Sequence, residues 1–83
     1  MKQYRIIIKK PAEKFIEKQS KRQQKSILTA IYKLPYEGDI DTMTGRKGYY
    51  RLRVGTYRII YTIKENVLTV EVLDVGNRGD VYK

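Results

Sequence analysis

The sequence predicts an α+β fold: a compact single domain spanning residues 1–83 in the order β-α-α-β-β-β, with an antiparallel-rich twisted sheet and an α-hairpin packed on one face. Three observations predict it. Apolar residues alternate near the N-terminus, recur at helical spacing through the next third, and alternate again from Tyr49 onward. A lone first strand is unstable, so it must join the sheet made by the later ones. Eighty-three residues suit one domain with a thin core.

Between Gln3 and Lys9, Tyr4, Ile6 and Ile8 face one way and Arg5, Ile7 and Lys9 the other, which is strand spacing. Pro11 suits the first turn of a helix, where its missing N–H costs nothing, and Ala12, Phe15 and Ile16 give that helix its apolar stripe. Ser20 and Gln23 have capping-box spacing and predict a second helix from about Lys21. Its buried period is Ile27, Leu28, Ile31 and Leu34, and Pro35 and Gly38 end it. Residues 36–48 read as a loop with an acidic start, Asp39 and Asp41, and a basic end, Arg46 and Lys47.

From Tyr49 the chain reads as β. Tyr50, Leu52 and Val54 alternate with Arg51 and Arg53, and Gly55-Thr56 stands where a tight turn is needed. Tyr57, Ile59, Tyr61 and Ile63 alternate with Arg58, Ile60 and Thr62. Glu65-Asn66 is expected to make a second two-residue turn, because Asn tolerates positive φ, and Val67 to Val75 the last strand.

Composition excludes several chemistries. With no cysteine, no disulfide or thiolate is available, which suits a reducing cytoplasm. With no histidine, a histidine-ligated metal and the usual neutral-pH proton shuttle are both excluded. No apolar run approaches the ~20 residues of a membrane span. The chain opens on a charged, alternating segment unlike a signal peptide, so a soluble cytoplasmic protein without membrane contact is expected.

Eighteen Lys+Arg stand against nine Asp+Glu, giving +9. An excess this large on a small body favours a polyanionic partner: RNA, DNA or an acidic protein segment. Strand periodicity puts Arg51 and Arg53 on one face. If Val54 and Tyr57 flank the turn as partners, Arg58 falls beside Arg53 on that same face. No acid occurs between Met43 and Lys64 to neutralise them. Three guanidiniums on a rigid hairpin make a phosphate-binding surface, because the planar fork matches two phosphate oxygens. The same pattern also describes an ordinary solvated sheet face. Tyr50, Tyr57 and Tyr61 fit core packing better than base stacking, for which Tyr49 and Tyr82 are the candidates. Lys14, Lys18, Lys21, Arg22 and Lys25 should lie on the wet side of the helices, as a solvated face or as contacts to RNA backbone.

The run Tyr50-Arg51-Leu52-Arg53-Val54-Gly55-Thr56-Tyr57-Arg58-Ile59-Ile60-Tyr61, followed by Val75-Gly76-Asn77-Arg78-Gly79-Asp80-Val81-Tyr82, resembles the RelE/ParE toxin superfamily, and its RelE branch more closely. The resemblance covers nearly the whole chain. It implies the toxin of a type II toxin–antitoxin system, a ribosome-dependent endoribonuclease that cuts mRNA in the A site. The implied reaction needs no metal or cofactor: a ribose 2′-hydroxyl attacks the adjacent phosphate and expels the 5′-oxygen. The implied partners are the ribosome with its mRNA and a cognate antitoxin, acidic and partly disordered when free, through which alone operator DNA is bound. Two further readings stay open, a ParE-like toxin that poisons gyrase without nuclease activity and a nucleic-acid-binding module that has lost its chemistry.

By resemblance, Arg51 and Arg53 match basic strand positions of the family site, where several relatives carry lysine. Arg58 matches the phosphate-contacting arginine, Arg78 the basic residue near the leaving group, and Tyr82 the C-terminal tyrosine. Arg46, Lys47 and Tyr49 join the expected RNA-binding surface. Two positions depart from the pattern: Asn77 stands where many relatives have histidine, and Gly79 where a longer polar side chain is common. Because a guanidinium stays protonated, Arg51 and Arg53 are implausible general bases. That leaves Tyr82, whose ordinary pKa of about 10 nearby arginines would lower.

Overall fold

A computed structural model of the chain describes residues 2–77. Its elements are β1 (Arg5–Ile8), α1 (Lys10–Glu17), α2 (Lys21–Ile31), β2 (Asp39–Thr42), β3 (Tyr49–Val54), β4 (Tyr57–Lys64), a short 3-10 turn (Glu65–Val67) and β5 (Thr69–Asn77). The five strands form one sheet in the order β1-β5-β4-β3-β2. Among the described residues β1 pairs with β5 in parallel, and the other neighbours are antiparallel. The fold is the expected α+β one, with a strand more than the sequence showed.

That extra strand, β2, lies inside the expected loop 36–48. Four residues with two aspartates have little strand propensity, and what recruits them is a free sheet edge beside β3. The second hairpin also departs from expectation. A 3-10 turn replaces the two-residue turn at Glu65-Asn66, and the positive φ falls on Leu68, at 45°, rather than on Asn66. The first hairpin turns at Gly55-Thr56 as read, with Val54 opposite Tyr57 and Gly55 at φ 58°, the conformation a tight hairpin asks of its first turn residue.

Pro11 occupies the first turn of α1, and the Ser20 hydroxyl accepts from the Gln23 backbone N–H at 3.2 Å to cap α2. Both helices lie on one face of the sheet. Ala12 and Ile16 of α1, Ile27 and Ile31 of α2 and then Leu34 meet Leu52, Tyr57, Ile59, Tyr61, Val70, Val72 and Val75, all buried. The tyrosines on this side are core residues. Tyr61 is 1% exposed and stacks on Tyr50 with ring centroids 5.4 Å apart. Tyr57 packs edge-on against Phe15, and its hydroxyl donates to Gln19 Oε1 at 2.9 Å.

Candidate functional site

Because the helices cover one face of the sheet, strand alternation sends the other half of the side chains to the opposite face. Arg51 and Arg53 point there from β3 and Arg58 from β4. The register sets Arg53 directly opposite Arg58, and Arg51 opposite Ile60. Arg58 sits on the central strand with Gly76 on its other flank, a neighbour without a side chain. It is 7% exposed, whereas the side chains of Arg51 and Arg53 are 27% and 36% exposed. The cluster therefore grades from a buried guanidinium at its centre to half-open ones toward the β2 edge.

The absence of acid between Met43 and Lys64 does not leave these arginines unneutralised. The carboxylates come from β2, across the sheet. Asp41 is opposite Arg51 and Asp39 opposite Arg53. Asp41 Oδ2 accepts from Arg51 Nη2 at 3.1 Å and also from Arg53 Nη2, while Asp39 Oδ2 lies 3.7 Å from Arg53 Nε. The pairing is hidden in the sequence because residues 36–48 read as a loop. The one available signal was the Asp-Ile-Asp alternation, which puts both carboxylates on the face opposite Ile40.

Tyr49 shares the arginine face by alternation, and the Arg46 guanidinium lies 4.2 Å from its ring centroid. Arg46 and Lys47 are exposed on the 43–48 loop that leads into β3. The helix cations are a separate group. Lys14, Lys18, Lys21, Arg22 and Lys25 are all exposed, as expected, but they belong to the layer on the far side of the sheet. Arg78 and Tyr82 lie outside the described residues.

Among buried tyrosines, Tyr61 has its hydroxyl pushed up to about 12, first by burial and then by the neighbouring Tyr50. It also sits on the helix side of the sheet. It therefore has neither the position nor the acidity to take a proton from a substrate on the arginine face.

The family model for the ParE toxin of type II toxin-antitoxin systems matches residues 3–82. Among solved structures, the chain is similar to the archaeal RelE-RelB complex from Pyrococcus horikoshii at 26% identity and a TM-score of 0.80, covering 95% of this chain and 99% of that one. It is similar in the same degree, 26% and 0.80, to the RelBE2 toxin-antitoxin complex of Mycobacterium tuberculosis, over 96% and 97% of the two chains. The RelB-RelE complex of Methanococcus jannaschii follows at 26% and 0.74, over 92% and 94%. The curated proteins offer no significant match. A family match over nearly the full length, on a fold shared end to end with RelE chains, places this protein in the RelE/ParE superfamily as a toxin of a type II toxin–antitoxin system.

Proposed function

We propose that this toxin is a ribosome-dependent endoribonuclease that cleaves mRNA through 2′-hydroxyl attack on the adjacent phosphate, with departure of the 5′-oxygen. The observation that carries the reading is the gathering of Arg51, Arg53 and Arg58 on one sheet face, with Arg53 and Arg58 side by side. In-line attack concentrates negative charge on the phosphate oxygens, and preorganised guanidiniums stabilise that charge without a metal. Arg58, held rigid by burial, is suited to fix the phosphate, and the more open Arg51 and Arg53 to close on it. Tyr82, as its phenolate, takes the proton of the 2′-hydroxyl, and the departing 5′-oxygen, its charge stabilised by the Arg78 guanidinium, takes a proton from water. Tyr49 offers a ring beside the cluster for base stacking.

A ribosome-sized substrate also accounts for the two separated cationic surfaces. The arginine face engages the scissile phosphate. Lys14, Lys18, Lys21, Arg22 and Lys25 on the helix layer, with Arg46 and Lys47 on the loop, engage surrounding RNA backbone. The solved relatives named above are toxin–antitoxin complexes, and the corresponding partner here is an acidic antitoxin that folds as it wraps the basic surface. Operator DNA is reached only through that complex.

The family model's own description favours a second reading, a ParE-like toxin acting on gyrase by protein contacts. Expression of the free chain in growing cells separates the two. New cuts within translated mRNA support the nuclease. Induction of the DNA-damage response with intact mRNA supports gyrase poisoning. A harmless chain sinks both.

A further inference from the structure

The arginine cluster already holds an anion. Asp41 takes donors from both Arg51 and Arg53, and Asp39 closes on Arg53 from the neighbouring position. These are the groups that the proposed function gives to phosphate. We propose that Asp41, assisted by Asp39, is the affinity-setting residue of this site: its carboxylate occupies the guanidinium donors of Arg51 and Arg53, and an RNA phosphodiester binds by exchange for it. The inference rests on the arginine face being the phosphate site.

Geometry and charge support an exchange over a permanent clamp. Asp41 and Asp39 sit on a four-residue edge strand, with side chains 39% and 68% exposed, so water can take over either carboxylate when it is displaced. Arg53 faces Arg58 across the strands, and like charges directly opposite destabilise a sheet. Two carboxylates offset that repulsion. A phosphodiester carries the same single negative charge as Asp41 and presents two oxygens to the planar fork, so it can replace the carboxylate without leaving the cluster unbalanced. The consequence is a trade: Asp41 stabilises the free toxin and weakens its hold on RNA.

Asp41→Asn separates these effects, because the amide keeps size and polarity but gives up the charge. The full chain is titrated with a fluorescent single-stranded RNA oligonucleotide, beside Asp74→Asn, which removes an equal charge from the same face at a residue whose carboxylate bonds its own neighbour, Val75 N–H. The expected result is binding tighter by on the order of 5-fold for Asp41→Asn, the worth of a partly exposed ion pair, with a lower melting temperature. Asp74→Asn should change binding by no more than about 2-fold, since β5 lies two strands away from Arg51 and Arg53. Asp39→Asn should shift affinity in the same direction by less, and serves if Asp41→Asn does not fold. Weaker or unchanged binding in Asp41→Asn, or an equal gain in Asp74→Asn, overturns the exchange. Arg53→Ala tests the premise: if it leaves RNA binding intact, the phosphate site itself is misplaced, a failure distinct from one in which Arg53 matters and Asp41 does not.

Discussion

Arg53 and Arg58 stand directly opposite each other on adjacent antiparallel strands, the arrangement a stable sheet avoids for like charges. Asp39 and Asp41 offset the repulsion on the Arg53 side, and Arg58 is the more deeply placed of the pair. A site assembled for binding anions commonly carries such a local cost to stability.

Arg53→Ala removes one member of that pair. Cleavage of translated mRNA is expected to fall by about 10²- to 10³-fold, the usual loss for one preorganised donor to a developing oxyanion. Global stability should change by less than about 1 kcal/mol, because the repulsion from Arg58 and the partly exposed ion pairs to Asp39 and Asp41 are lost together. Single-turnover cleavage on purified ribosomes and a urea unfolding curve on the same sample check both halves.

Gly38 links α2 to β2 with φ at +135°, and a Cβ there would lie 2.6 Å from Leu52 Cδ1. Leu52 is 1% exposed and has little room to retreat. Gly38→Ala combines backbone strain with a core clash and should cost about 1–3 kcal/mol. A chemical-denaturation midpoint unchanged from the parent would show that the chain crosses here by another route.

Ser20 caps α2 through the Gln23 N–H, and Ser20→Ala should destabilise the protein by about 1 kcal/mol. Ser20→Asp should retain the cap and add a favourable charge at the helix N-terminus. Thermal unfolding of the two variants in parallel reads the difference.

Tyr61 imposes an alkaline limit. Burial, and then the neighbouring Tyr50, push its phenol up from the ordinary value of about 10 to about 12 in the folded chain. Below pH about 10 the hydroxyl is protonated in both states, and its contribution to stability is complete. As pH rises through the window to about 12 the unfolded form loses its proton first, so that contribution is progressively lost. Tyr61→Phe should flatten this part of the stability profile and leave cleavage at neutral pH intact. Loss of cleavage in a folded Tyr61→Phe protein would return Tyr61 to the reaction.

Binding of the cognate antitoxin, if acidic as proposed, should weaken as salt rises from about 0.1 M toward about 1 M, where the screening length shrinks from roughly 10 Å to roughly 3 Å. Calorimetric titration across that range measures the slope. Constant affinity would mean that apolar docking dominates.

Much of this protein was legible in its residues. Pro11, the Ser20 cap and the helical period through Ile31 placed two helices, and the alternation from Tyr49 to Tyr61 placed a hairpin whose register follows from Gly55-Thr56. These are local signals, each set by neighbours within a few positions. The same alternation put three arginines on one face, since a period of two admits only two sides.

Only the tertiary structure decided what meets that face. β2 has little strand signal of its own, and pairing with β3 is what makes it a strand; that pairing carries Asp39 and Asp41 across ten or more residues of chain to Arg51 and Arg53. Likewise the strands that flank Arg58, with Arg53 on one side and Gly76 on the other, follow from the place of β4 in the strand order, which no local pattern announces. The sequence by itself determined which side chains share a face, because that depends on the backbone repeat. Which charges neutralise one another depends on contacts between distant segments, and those exist only once the sheet has closed around them.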